Sequence, residues 1–202
     1  MTLQIISDLY LESPKGYDVF KIVPKAPHLA LLGDIGNAIP HKSDLVAFLT
    51  HQLTQFRAML FVPGNHEAYY PDWATTLEFL RTFGSQVQND GALGDFILSD
   101  RTVLRLPDTD ITILGCSLFS SIPPKSEMAV SMGLNDFFQT DGWVAALEGT
   151  DSKVAISTHW SPSVDARSSD PEHGASPIFS GFSTDHSPRI LYHVLFVGKL
   201  VG

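Results

Sequence analysis

The side chains best suited to chemistry in this chain fall directly after short apolar runs. Leu29-Ala30-Leu31-Leu32 runs into Gly33-Asp34, and Met59-Leu60-Phe61-Val62 runs into Pro63-Gly64-Asn65-His66-Glu67. Leu3-Gln4-Ile5-Ile6 leads to Ser7-Asp8-Leu9-Tyr10, and Val154-Ala155-Ile156-Ser157-Thr158 leads to His159. Apolar runs bounded by turn residues have strand character. Polar groups are therefore delivered at strand ends, the edge of an open α/β sheet where ligands gather. Carboxylate, amide and imidazole are donors that a hard divalent ion accepts. The chemistry expected of them is cleavage of a phosphate ester by metal-activated water.

The set resembles the calcineurin-like metallophosphoesterases, whose pattern is Asp-x-His, Gly-Asp, Gly-Asn-His-Glu or Asp, a lone His after a strand, then Gly-His-x-His. Gly33-Asp34 and Gly64-Asn65-His66-Glu67 match in order and spacing. The resemblance continues through Ile113-Leu114-Gly115-Cys116-Ser117-Leu118-Phe119, Leu134-Asn135-Asp136-Phe137 and Thr158-His159-Trp160-Ser161-Pro162-Ser163, up to about residue 185. It implies an α/β fold of two stacked mixed β-sheets flanked by helices, in one domain over residues 1–202 that is altered and shortened after about 185. It also implies that Asp34 bridges two metals, that Asp8 is a ligand of the first, and that Asn65 and His159 are ligands of the second. His66 then resembles the residue that protonates the departing alkoxide. The expected cofactor is a divalent metal (Mn, Fe, Zn or Mg), as one ion or none.

Two departures from the pattern bear on that expectation. Tyr10 stands where the family has the histidine of Asp-x-His, and a neutral phenol is a poor ligand for most divalent ions. Gly-His-x-His is absent. If Gly198 is that motif's glycine, Lys199 stands where a second-metal ligand belongs and Val201 where a first-metal ligand belongs. The first site keeps Asp8 and Asp34, and the second keeps Asp34, Asn65 and His159. A normal two-metal centre is not expected, although three protein ligands and water suffice for one ion. Lys199 could instead supply built-in positive charge, with Tyr10, His66 and His159 as further proton donors or acceptors. Three readings follow. The first is a metallophosphoesterase-family hydrolase with a depleted metal site. The second is a repurposed metal-independent enzyme performing acid/base dehydration, cyclisation or isomerisation of a small molecule. The third is a non-catalytic binding protein.

Composition narrows the class. The chain has 202 residues, 44% of them hydrophobic, which supports one domain with a sizeable core. Its formal charge of −9 disfavours a broad nucleic-acid surface, so the expected partner is a small-molecule substrate. No run is long and apolar enough for a membrane span, and no signal-peptide pattern opens the chain, so a cytoplasmic location is expected. The single cysteine, Cys116, sits in an apolar run and reads as an inert buried thiol. The family's closing strands are not seen after Gly198, so a homo-oligomer covering an open sheet edge is expected.

The elements that must position these residues are readable from spacing. Leu45, Phe48, Leu49 and Leu53 give helical periodicity over 44–56, and Trp73, Leu77 and Leu80 give it over 71–83. Runs at 96–98, 103–106 and 111–114 read as short strands of a second sheet layer. Residues 123–143 and 161–187 read as loops rimming the pocket, with His173, Asp185 and His186 in the second of them.

Overall fold

The computed structural model describes residues 3–105, 112–117, 122–134, 136–140, 157–158, 176–177, 179–181 and 197–198. It is a mixed α/β structure built on a parallel sheet. Strands β1 (Leu3–Ile6), β2 (His28–Leu32), β3 (Ala58–Val62) and β4 (Asp95–Leu98) lie side by side in sequence order, every pairing parallel. A second sheet, in the order β5 (Thr102–Arg105), β6 (Thr112–Gly115), β7 (Ser157–Thr158) and β8 (Val197–Gly198), has one antiparallel pairing followed by two parallel ones.

Strand periodicity decides which face each side chain serves. Leu29, Leu31, Met59, Phe61 and Phe96 turn to one face. There they pack with Leu45, Leu49 and Leu53 of helix α2 (Lys42–Leu53) and with Leu80, Phe83 and Val87 of helix α3 (Trp73–Gln88). The alternate residues Ala30, Leu32, Leu60 and Val62 turn to the other face, against Ile97, Leu104 and Ile113. Since Leu104 and Ile113 belong to the second sheet, the two sheets stack through this smaller cluster.

Several expectations need correcting. The first sheet is purely parallel among the described residues, not mixed. The run at 96–98 belongs to that sheet as β4, not to the second layer: after α3 it returns beside β3, with Phe96 against the helices and Ile97 between the sheets. Helix α3 runs five residues past the expected end at 83, with Gly84 buried in its interior close to Phe96. Its start is fixed by Asp72, whose carboxylate accepts the Thr75 N–H at 2.7 Å. The stretch 123–143 is not simply loop, because it holds a 3-10 turn (Pro124–Ser126), helix α4 (Glu127–Gly133) and helix α5 (Asp136–Gln139). A further four-residue helix, Gly16–Val19, follows β1. Among the described residues no helix is long and apolar enough to cross a membrane.

Leu60 is 1% exposed between the sheets. Leu60→Ala is expected to lower the unfolding free energy by about 2–5 kcal/mol in urea titrations. A loss well under about 1 kcal/mol would mean that the stacked arrangement is wrong.

Candidate active site

The loops that follow β1, β2 and β3 meet at one end of the parallel sheet. Beyond the strands, the first loop continues to pair with the second: the Asp8 N–H donates to the Gly33 carbonyl at 3.0 Å, Tyr10 N–H to Asp34 at 3.0 Å and Leu11 N–H to Ile35 at 2.9 Å. To do this the backbone turns left-handed at Gly33 (φ 81°), and also at Asp8 (57°), Tyr10 (50°) and Asp34 (54°). Glycine adopts that conformation freely. In a residue with a side chain it costs on the order of 1 kcal/mol and is characteristic of functional sites.

The third loop is locked to the second by Glu67, which is 0% exposed. One carboxylate oxygen accepts N–H groups from Ile35 (2.7 Å) and Gly36 (3.3 Å), and the other accepts from Asp34 (3.0 Å) and Gly64 (2.6 Å). Four orphan backbone donors are thereby satisfied, and their N–H groups stabilise the negative charge. The exchange is reciprocal, because Asp34, 1% exposed, accepts the His66 N–H at 3.1 Å. Asn37 adds a bond from its amide to the His66 carbonyl at 2.7 Å.

His66 sits between two aromatic rings, with Tyr10 edge-on at 4.7 Å and Tyr69 at 4.3 Å. Its Nδ1 meets a Glu12 carboxylate oxygen at 2.5 Å. Burial works against a charged imidazole, but the Glu12 hydrogen bond and the charges of Asp34, Glu12 and Glu67 outweigh it. They raise His66 above the ordinary histidine value. Asn65 turns its amide nitrogen to Asp136 at 2.7 Å and to the Tyr69 hydroxyl at 3.1 Å, and that hydroxyl donates to the same Asp136 oxygen at 2.8 Å. Burial lifts Asp136 above the usual carboxylate range even though both bonds favour its charged form. With its nitrogen directed to Asp136, Asn65 has its carbonyl oxygen as the donor to offer a cation. The Tyr10 hydroxyl donates to Asp8 at 2.9 Å. Burial, followed by the charges of Asp34 and Asp8, pushes its pKa far above the ordinary phenol value, so Tyr10 is a neutral phenol.

The structure thus brings Asp8, Tyr10, Asp34, Asn65 and His66 together. His159, Lys199, His173, Asp185 and His186 lie outside the described residues, although β7 and β8 reach Thr158 and Gly198, next to the first two in sequence. Cys116 is buried, and burial raises its thiol above the ordinary range.

Sequence reasoning assigned no role to Glu12, Glu67, Tyr69 or Asp136. Glu67 lay within a recognised motif, and the burial of so charged a residue was its missing sign. Asp136 lay in a matched segment. Glu12 carried no spacing signal.

Among the described residues no group of three or more His, Cys, Asp or Glu side chains is arranged to hold a metal ion. At the first expected position the donors do not suit an ion, since Asp8 is bonded to a phenol in place of an imidazole neighbour. At the second, the Asp34 carboxylate and Asn65 amide are oxygen donors of the type a hard divalent ion takes.

No known family profile matches the chain. An uncharacterized protein, L509, of Acanthamoeba polyphaga mimivirus is 30% identical over 146 residues, covering 67% of this chain and 50% of its own length. The chain therefore spans about half of that relative. Among solved structures, the phosphopantetheinyl hydrolase from Mycobacterium tuberculosis superposes with a TM-score of 0.57 at 16% identity, covering 91% of this chain and 76% of that one. At that identity the likeness is one of fold.

Two measurements check this geometry. Glu67→Gln sets an amide NH2 against backbone donors and is expected to cost about 3 kcal/mol of stability or more, with faster hydrogen exchange at residues 34–36 and 64. Because the folded-state value of His66 is raised, the stability from its Glu12 pair is fully present below 6.5 and is lost as pH rises through that raised value. Urea midpoints followed upward from pH 6.5 should fall in the parent and stay flatter in Glu12→Gln.

Proposed function

We propose that this protein hydrolyses a phosphate ester, as a diverged relative of the calcineurin-like metallophosphoesterases. The observation that carries the reading is the gathering of Asp34, Asn65 and His66 at one end of the parallel sheet, on a fold shared with a phosphopantetheinyl hydrolase. Asp34 and Asn65, with His159 as third ligand, would hold one divalent ion. When bound, the ion supplies Lewis acidity to the phosphoryl oxygens and to an attacking water.

The chain's own groups supply the rest. Asp34 fixes the His66 backbone, and Asp136 with Tyr69 fixes the Asn65 amide. The Glu12 bond at Nδ1 leaves Nε2 of the protonated imidazole as the donor to the departing alkoxide. Tyr10 and Tyr69 hold the ring in place between them. The mycobacterial protein's name makes a phosphopantetheinyl ester the first candidate substrate, beside a generic aryl phosphate.

With manganese added, the purified chain should release phosphate or a phosphorylated product from one of these esters, and a chelator should stop it. His66→Ala should lower kcat by roughly 100-fold or more. Activity that a chelator leaves unchanged would favour a metal-independent acid/base enzyme, and no turnover of any ester would remove the hydrolase reading.

A further inference from the structure

The Tyr10 hydroxyl donates to Asp8 at 2.9 Å, and Asp34 lies close enough for its charge to act on the same hydroxyl. Two carboxylates facing one point repel unless something positive lies between them. A divalent ion is one solution, and a shared hydroxyl proton is another. The position of the phenol is set by more than side-chain preference. Tyr10 takes a left-handed backbone (φ 50°) so that its N–H meets the Asp34 carbonyl at 3.0 Å, while its ring packs edge-on against His66 at 4.7 Å. Backbone, ring and hydroxyl all direct the residue into the carboxylate pair.

We propose that Tyr10 is the resident occupant of the first metal position: its hydroxyl bonds Asp8 beside Asp34, and the site accepts at most one divalent ion, on the side of Asp34 and Asn65. The inference rests on reading these strand ends as a metallophosphoesterase site, yet it concerns stoichiometry and not turnover. Asp8 becomes a partner of the phenol and not a metal ligand. The hydroxyl withholds from an ion the Asp8 oxygen on which it bonds.

The test is elemental analysis of the full chain equilibrated with excess manganese and freed of unbound ion, for the parent and for Tyr10→His. The parent is expected to hold no more than one manganese per chain. Tyr10→His, which restores a nitrogen donor beside Asp8, is expected to gain one equivalent. Two ions in the parent, or no gain in a folded Tyr10→His, would each overturn the proposal. Should the variant fail to fold, the parent's metal count still decides. One ion without hydrolysis of any ester would leave this inference standing and remove the functional reading, whereas two ions with hydrolysis would do the reverse.

Discussion

The carboxylate of Glu67 is the contact on which the site depends. It collects four backbone N–H groups from the turns after β2 and β3, which would otherwise face an apolar interior unpaired. An unsatisfied buried donor costs about 1–3 kcal/mol, so the turns are held to one geometry by the sum of these bonds. The reactive side chains inherit that rigidity. Asp34 donates its own N–H to that carboxylate, and His66, directly before Glu67 in the chain, donates its N–H to Asp34.

Around that anchor the charged groups are arranged in pairs. Glu12 faces His66, Asp136 faces Asn65 and Tyr69, and Asp8 faces Tyr10. In the first two the acid lies on a different segment of the chain from the group it orients, whereas Asp8 and Tyr10 share the first loop. The site is thus assembled from the first loop, the second and third loops, and the region of α5. Ser117, just after β6, contributes a hydroxyl bond to the Pro63 carbonyl at 2.6 Å, which ties the second sheet to the rim of the first.

How much of this could be read from the residues depends on whether packing leaves a period in the sequence. Strands β1 to β3 and the turns after them were legible, because buried parallel strands are continuous apolar runs ending in glycine or polar residues. The buried stripe of α2 was legible for the same reason. Strand β4 was placed in the wrong sheet, because Phe96-Ile97-Leu98 is apolar on both faces and alternation does not tell which neighbour a strand pairs with. Helix α4 was hidden because its apolar Met128 and Met132 are exposed, so they do not mark a buried stripe. Asp8, Asp34, Asn65 and His66 were legible from motif order. Glu12 and Asp136 were not assigned, since long-range pairing leaves no trace in local spacing.

The parallel sheet runs β1-β2-β3-β4 without ever reversing its order. Both long helices consequently pack on one face, and the second sheet occupies the other. A doubly wound sheet gains its crevice where successive connections diverge to opposite faces. This one has no such divergence, so the strand ends draw partners from the connections of the opposite layer, as Asp136 illustrates. Those connections can lengthen, shorten or change composition without touching the turns that hold the reactive groups. A lineage built this way is free to exchange one ligand for another while the turns at the strand ends stay fixed.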